Sequence, residues 1–446
     1  MSDKGGSIKS RLIRGGIWAM AVRVVGILSS FAVNALLARL LPVSEMGAYF
    51  LGLSLAGMMV LIGQFGLPQT VVRLVAESIG HGKFGEARYL ILKVLGYCLA
   101  ICSVVALMFY GFAGEWITGT ILHSTTLQEL TGMLSLMIVL MTLQGLIAEV
   151  FRGFHDVRFA SIYGGVATTF FMMILFGVAK EIHGHTDLQH AFDLNVLALC
   201  LTLTLSGISL WLKQRVLGEL KRADSARILS ISWPICIINL SVFVASQGDL
   251  WVVGAFLPHQ DAAIYGAVLR LVMILMTTQA LVVASTQSTI AEMHAKGEKK
   301  RIETLVRGLT FWLCIPAGVI LLTYAIWGDA LLMLIFGKYY GAGYWPLLLL
   351  CSGQFIGMLF GPVETVLIMT GLEKPLMWLI VSTGLLGIVS ATLMVKHFGL
   401  VGVSASWAFM TIMQGIGAWW MVVSKVGIKC NFKWTPIPIR QLKKVS

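Results

Sequence analysis

Long apolar runs alternate with short polar segments along the whole chain. A membrane-spanning helix needs about 20 mainly apolar residues, and twelve runs meet that requirement. They predict helices over 16–38, 47–66, 89–112, 128–148, 160–179, 192–212, 233–257, 264–287, 306–327, 345–369, 376–395 and 400–423. The pattern therefore predicts an all-α polytopic membrane protein.

The composition supports the same class. Of the 446 residues, 57% are apolar and only 12% are charged, whereas a soluble domain carries about 25% charged residues. The 7 cysteines include no Cys-x-x-Cys pair, and six of them lie in apolar runs. A disulfide framework and a zinc site are both disfavoured by this distribution.

The basic residues orient the predicted spans. With both termini on the cytoplasmic side, the outer loops contain only Arg39, Lys180, Lys338 and Lys396 of the 33 lysines and arginines. This asymmetry predicts a multi-pass protein of the cell membrane with cytoplasmic N and C termini. The net charge of +12 thus reflects orientation in a bilayer, and nucleic acid is not an expected partner.

No predicted outer loop exceeds about 20 residues, which is too short to bury a core of its own. This disfavours a membrane enzyme with an extracytoplasmic domain. The outer histidines His123, His183 and His185 show no recognisable pairing of nucleophile and base.

An internal repeat divides the chain. Leu41-Pro42 precedes Tyr49 by the same spacing as Leu257-Pro258 precedes Tyr265, at an offset of about 216 residues. The repeat predicts two six-helix halves related by a pseudo-two-fold axis along the membrane normal. The predicted segments are a cytoplasmic N-terminus (1–14), an N-lobe (15–212), a basic linker (213–232), a C-lobe (233–423) and a basic cytoplasmic tail (424–446), which is expected to contact membrane lipids.

Four charged residues lie deepest inside the predicted spans, where a charge costs several kcal/mol and usually faces a cavity or a partner. Arg23 is expected to face a cavity or an anionic ligand. Arg270 either pairs with Asp249 or binds cargo. Asp249 and Glu364 are either proton or sodium sites or, for Glu364, a carboxylate stabilised by a hydroxyl such as that of Thr365.

Amide side chains also lie inside the spans. Asn34, Gln64 and Gln247 would line a polar cavity that suits sugar hydroxyls. Alternatively, each forms a hydrogen bond between helices.

Several short motifs resemble those of a known family. They are Arg14-Gly15-Gly16, Leu40-Leu41-Pro42 with Gly47-x-Tyr49, Gly66-Leu67-Pro68 with Arg73, Arg152-Gly153, and Phe336-Gly337-Lys338-Tyr339-Tyr340. Together they resemble the polysaccharide-exporter branch of the multidrug/oligosaccharidyl-lipid/polysaccharide (MOP) superfamily, and in particular the Wzx-type O-antigen flippases. The resemblance extends from about residue 10 to residue 425.

The resemblance implies two six-helix lobes in a V around a central cavity. It also implies a cargo of undecaprenyl-pyrophosphate-linked oligosaccharide, moved to the outer leaflet by alternating access. Arg23 and Arg270 lie on the two helices whose cavity arginines are implicated in holding the anionic head group in related flippases. A proton or sodium ion is the expected coupling ion, no other cofactor is expected, and a polysaccharide polymerase and a chain-length regulator are expected partners.

Three other functions stay open. The first is a drug or cation antiporter of the same superfamily, with an acidic and aromatic cavity. The second is a lipid II flippase, whose relatives usually carry more charge and extra helices. The third is an integral-membrane polymerase or ligase.

Overall fold

The computed structural model describes residues 25–26, 28–154, 156–183, 186–215, 218–223 and 226–428. Within these residues the chain forms helices and turns, with no β-strand. Ten of the described helices are long and apolar enough to cross a bilayer. The predicted all-α polytopic fold is confirmed.

Packing divides the chain into two compact units, Met1–Leu240 and Ser241–Ser446. The helices of the first unit are α1 (Leu28–Leu40), α2 (Val43–Gln64), α3 (Leu67–Gly80), α4 (Phe84–Met108), α5 (Thr125–Glu129), α6 (Thr131–Gly153), α7 (Val157–Ile182) and α8 (Leu188–Arg215). Helical turns prolong α4 as far as Ile121. Helix α9 (Ala226–Phe256) contains the division.

The second unit continues with α10 (His259–Ala295), α11 (Lys299–Phe336), α12 (Tyr344–Leu359), α13 (Val363–Met369) and α14 (Glu373–Met421). Two differences from the predicted spans bear on the candidate site. Helix α10 starts at His259, earlier than the predicted residue 264. The predicted span 345–369 is broken before α13, where Gly361 has a φ of 83° and Pro362 follows it.

Helix α14 is two membrane-crossing arms folded at Gly399, which has a non-helical φ of 53° and ψ of −136°. The arms run antiparallel, because Thr383 Oγ1 donates to Gln414 Oε1 at 3.3 Å. Near the fold, a Cβ placed on Gly402 would lie 2.7 Å from the carbonyl oxygen of Met394. The predicted spans 376–395 and 400–423 correspond to these two arms.

The long helices leave much of their apolar surface uncovered by protein. In the most apolar windows of α9 and α11, only 17% and 22% of the residues are buried. The uncovered side chains are large, as Phe112 (77% exposed) and Leu334 (68% exposed) illustrate. Exposing apolar area to water costs about 25 cal/mol per Å², so these surfaces require lipid as their solvent.

The helix ends of the two units match at the offset of the sequence repeat. Pro42 precedes α2 with φ −54° and ψ 145°, and Pro258 precedes α10 with φ −57° and ψ 153°. Gly82 and Gly297 follow α3 and α10 with φ of 71° and 72°. Such left-handed glycines satisfy the last carbonyl groups of a helix, so both units end these helices in the same way.

The hydrophobic cores also match position by position. The first core contains Leu74, Leu90, Val150, Phe151 and Ala160 among its buried residues. The residues 216 positions later, namely Ile290, Val306, Val366, Leu367 and Leu376, are all in the second core. One pattern of inward-facing positions therefore builds both cores.

The two units differ between α2 and α3, the two helices of the first unit that correspond to the single helix α10 of the second. Helix α10 is continuous, whereas α2 ends at Gln64 and is followed by Phe65 and Gly66, which have φ of 47° and 71°. Helix α3 then begins as a separate amphipathic helix. The break brings Gly66 against the start of α9, where a Cβ on Gly66 would lie 2.2 Å from the Ser232 carbonyl oxygen. Thr70 Oγ1 and Ser232 Oγ are hydrogen-bonded at 2.8 Å beside this contact.

Replacing Gly66 by alanine is expected to destabilise the first unit strongly. The change adds a backbone clash to the cost of a left-handed non-glycine residue, which alone is about 1–2 kcal/mol. Gly82→Ala is the matched control, because Gly82 has the same φ of 71° and no atom within 4 Å of the added Cβ. Thermal unfolding of the purified variants in detergent should show a clearly larger loss for Gly66→Ala, and equal losses would contradict the close contact.

Candidate functional site

The residues that the sequence predicts for the site are divided between the two units. Arg23 lies outside the described residues, so its role stays a prediction. Asn34 and Gln64 belong to the first unit, and Gln247, Arg270 and the two carboxylates to the second. The geometry of each unit is therefore described separately.

Asp249 is the most deeply buried of the predicted residues that the structure describes, with 1% of its surface exposed. Its Oδ2 accepts a hydrogen bond from the Tyr265 hydroxyl at 2.9 Å, and its Oδ1 accepts one from the Leu250 amide at 2.8 Å. Ser404, from the second arm of α14, contacts the same Tyr265 hydroxyl. A buried carboxylate requires such donors, because an unpaired one would cost several kcal/mol.

The turn between α9 and α10 explains this partnership. Asp249 lies seven residues before the end of α9, and Tyr265 lies six residues after the start of α10. At about 1.5 Å per residue, both side chains are about 10 Å from the turn. A tyrosine at that depth reaches a carboxylate on the neighbouring helix.

Arg270 does not lie at the depth that Asp249 and Tyr265 share. Because α10 starts at His259, Arg270 is about 16 Å from the turn, more than one helical turn deeper than Asp249. The ion pairs found within the described residues do not include one between Arg270 and Asp249, and the two roles predicted for Arg270 stay predictions. The half-buried Arg270 directs Nη1 towards the sulfur of Met273 at 3.9 Å.

The first unit has a related arrangement with different chemistry. Tyr49, the repeat equivalent of Tyr265, is 1% exposed and accepts a hydrogen bond from Asn195 Nδ2 at 3.0 Å. Asn34, 215 residues before Asp249, instead donates to the Ser30 carbonyl on its own helix at 2.6 Å. Each unit thus buries a tyrosine with a polar partner, but only in the second is that partner an acid.

The other predicted residues have simpler surroundings. Gln64 ends α2 beside Gly145, where an added Cβ would lie 2.6 Å from the Gln64 amide nitrogen. Gln247 is half-buried, two residues before Asp249. Glu364 is exposed in the first turn of α13 and accepts a hydrogen bond from Gln414 Nε2 at 2.8 Å, so the donor found at this carboxylate is an amide.

Sequence reasoning missed a buried polar cluster in the first unit. Gln144 Nε2 donates to Thr168 Oγ1 at 2.5 Å and to the Tyr163 carbonyl at 3.1 Å, and Thr168 Oγ1 donates to Thr202 Oγ1 at 3.3 Å. The Tyr163 carbonyl is available because α7 is interrupted at Gly165, which has a φ of 144°. The Gly164-Gly165 pair inside an apolar run is the signal that indicates this break.

Comparison with known proteins identifies the family. A family model described as polysaccharide biosynthesis protein matches residues 12–294, which is more than half of the chain, and the chain therefore belongs to that family. It is also 23% identical over 406 residues to the probable low-salt glycan biosynthesis flippase Agl15 of Haloferax volcanii. That alignment covers 89% of this chain and 80% of that protein.

Solved structures show the same fold. An inward-facing multidrug resistance MATE family transporter of the MOP superfamily matches with a TM-score of 0.73 and 14% identity, covering 92% of this chain and 98% of that one. A MOP superfamily transporter from Pyrococcus furiosus, described as having a binding pocket of reverse polarity, matches with a TM-score of 0.60 and 13% identity, covering 96% and 99%. The resemblance to the MOP superfamily is confirmed at the level of the fold.

Removal of the Tyr265 hydroxyl is expected to destabilise the protein more than removal of the Tyr49 hydroxyl. Tyr265→Phe deprives a buried carboxylate of a donor, whereas Tyr49→Phe deprives a neutral amide of an acceptor. Hydrogen bonds to charged groups contribute about 1.5–3 kcal/mol and neutral ones about 1 kcal/mol. Thermal unfolding of both variants in detergent measures the difference, and an equal or reversed order would contradict the assigned bonding of Asp249.

Proposed function

We propose that this member of the polysaccharide biosynthesis protein family is a flippase for an undecaprenyl-pyrophosphate-linked oligosaccharide. It moves the glycan from the inner to the outer leaflet by alternating access. The observation that carries the proposal is the combination of that family match with a transporter fold. A sugar pyrophosphate does not cross hydrocarbon unaided, because burial of its charges and hydroxyls costs too much free energy.

The basic residues support an orientation with cytoplasmic termini. Arg152 ends α6, Lys213 and Arg215 end α8, and Lys296 follows α10. By the alternation of the spans, these helix ends share one side of the membrane. Positively charged ends of this kind lie in the cytoplasm.

Arg270 is the described residue that best suits the pyrophosphate. It lies far from either end of α10, is half-buried and is more than one helical turn deeper than Asp249. A guanidinium donates two parallel hydrogen bonds to a phosphate and retains its charge in the membrane. Arg23 is proposed as a second cation for the same head group.

Asp249 is proposed as the site that couples transport to a proton or sodium gradient. Its carboxylate is buried and has neighbouring hydroxyl groups from Tyr265 and Ser404. Intramembrane carboxylates in such surroundings are characteristic of proton and ion pathways. Glu364 is the weaker candidate, because it is exposed and bonded to Gln414.

Arg270→Gln is expected to reduce flipping about tenfold or more, the effect of losing a charged hydrogen bond to the head group. The assay reconstitutes the full chain in liposomes and measures how fast lipid-linked oligosaccharide becomes accessible to an external glycosidase. Arg301→Gln is the matched control, because Arg301 forms an exposed ion pair with Glu298 at 2.8 Å, and such pairs contribute about 0–1 kcal/mol. Normal flipping by Arg270→Gln would exclude Arg270 from cargo binding.

A cation antiporter is the second candidate, favoured by the buried Asp249 and the likeness to MATE structures. It predicts efflux of a cation such as ethidium from the same liposomes. That efflux would be lost in Asp249→Asn and unchanged in Arg270→Gln. Flipping without ethidium efflux would support the glycan carrier instead.

A further inference from the structure

A cleft of about 670 Å³ opens in the first unit, where α1 turns into α2 and α8 begins. This volume is within the range of about 300–1,000 Å³ that is typical of ligand sites. Leu41 and Pro42 contribute apolar surface, and Arg39 and Glu45 contribute charge. In the proposed orientation the cleft faces the outside of the cell, and all of its lining residues belong to the first unit.

Two polar atoms in the cleft have no hydrogen-bond partner among the described residues. Thr186 is 7% exposed, and its Oγ1 is buried and unbonded. Glu45 Oε2 is likewise buried without a partner. An unsatisfied buried polar atom costs about 1–3 kcal/mol, so two of them in one cleft indicate a place where a ligand completes the bonding.

The local backbone holds these groups in place. The Thr186 amide donates to the Leu40 carbonyl at 3.4 Å. Asp187 Oδ1 accepts from the His190 amide at 2.9 Å and so caps the start of α8. Hydrogen bonds thus hold both the Thr186 amide and the residue that follows it, and these contacts position the Thr186 hydroxyl.

The cleft is not a by-product of the repeat. At the equivalent turn between α9 and α10, the position of Arg39 is occupied by Ala255 and that of Glu45 by Asp261. The guanidinium thus occurs in one half only. A feature that packing alone required would be expected in both halves.

We propose that this cleft binds a sugar residue of the glycan on the outer side of the membrane. The inference rests on the proposed flippase function and extends it with a docking site for the emerging saccharide. Arg39 donates hydrogen bonds, the carboxylates of Glu45 and Asp187 accept them, and the Thr186 hydroxyl does both, which matches sugar hydroxyls that donate and accept. Leu41 and Pro42 provide the surface for the apolar face of a sugar ring.

The charge of the cleft argues against other ligands. The carboxylates of Glu45 and Asp187 line the cleft together with Arg39 and His190, so the cleft has no excess of positive charge that would favour a pyrophosphate. Within the described residues, no three His, Cys, Asp or Glu side chains are placed to hold a metal ion. A neutral or amine-bearing saccharide is the class that fits the remaining groups.

Thr186→Val provides the most direct test, because it replaces the buried hydroxyl with a methyl group of similar size. Full-length protein in nanodiscs is titrated with the oligosaccharide released by mild acid from the lipid-linked glycan pool of the source cells. We expect about fivefold weaker binding for Thr186→Val and about tenfold for Glu45→Gln. Thr142→Val is the matched control, because Thr142 Oγ1 is also buried and unbonded but lies on α6, away from the cleft.

The outcomes are separable. Weaker binding in both cleft variants, with unfolding temperatures at or above wild type for Thr186→Val and unchanged binding in Thr142→Val, supports the proposal. Unchanged glycan binding in the cleft variants overturns it, as does binding of Mg²⁺ alone that Glu45→Gln abolishes. If the cleft variants weaken glycan binding but the wild-type protein does not flip the glycan in liposomes, the flippase function is rejected and the saccharide site is retained. If flipping is normal and glycan binding does not depend on the cleft, the flippase function is retained and the saccharide site is rejected.

Discussion

The structure depends on one constraint, the absence of water in the hydrocarbon of the bilayer. Backbone groups there have to bond within the chain, so each crossing is a helix. Polar side chains at the same depth need partners from the protein, and Asp249 obtains them from Tyr265 and Leu250. The break at Gly165 follows the same rule, since the carbonyl of Tyr163 next to it accepts a hydrogen bond from the Gln144 amide.

The two halves share a scaffold and differ in chemistry. Proline starts, glycine ends and core positions agree at an offset of about 216 residues, and each half buries a tyrosine seven residues after its proline. The partner of that tyrosine is an amide in one half and a carboxylate in the other. Repetition therefore accounts for the shared scaffold, whereas the buried polar partners of the two tyrosines are specific to each half.

The sequence predicts most of the fold, because long apolar runs and charge asymmetry are strong signals that tertiary contacts rarely override. It predicts the site less well. The apolar run around residue 264 conceals the true start of α10 at His259, and that shift moves Arg270 away from Asp249. Helix α3 was not predicted, because only half of its surface is apolar. The hydrogen bond between Glu364 and Gln414 joins residues 50 positions apart, and hydrophobic periodicity does not detect a contact of that kind.

The hairpin at Gly399 has a consequence for how the chain enters the membrane. Its two arms are joined by a single residue in a non-helical conformation, so the hydrophilic chain that has to be carried across the bilayer between them is short and includes Lys396 and His397. The pair is suited to insertion as one unit, with its orientation set by the basic residues before the first arm and after the second. A reporter protein fused after Phe398 would replace the second arm and so leave the first arm without its partner. Fusions that map the membrane topology should therefore be made at the two ends of the hairpin.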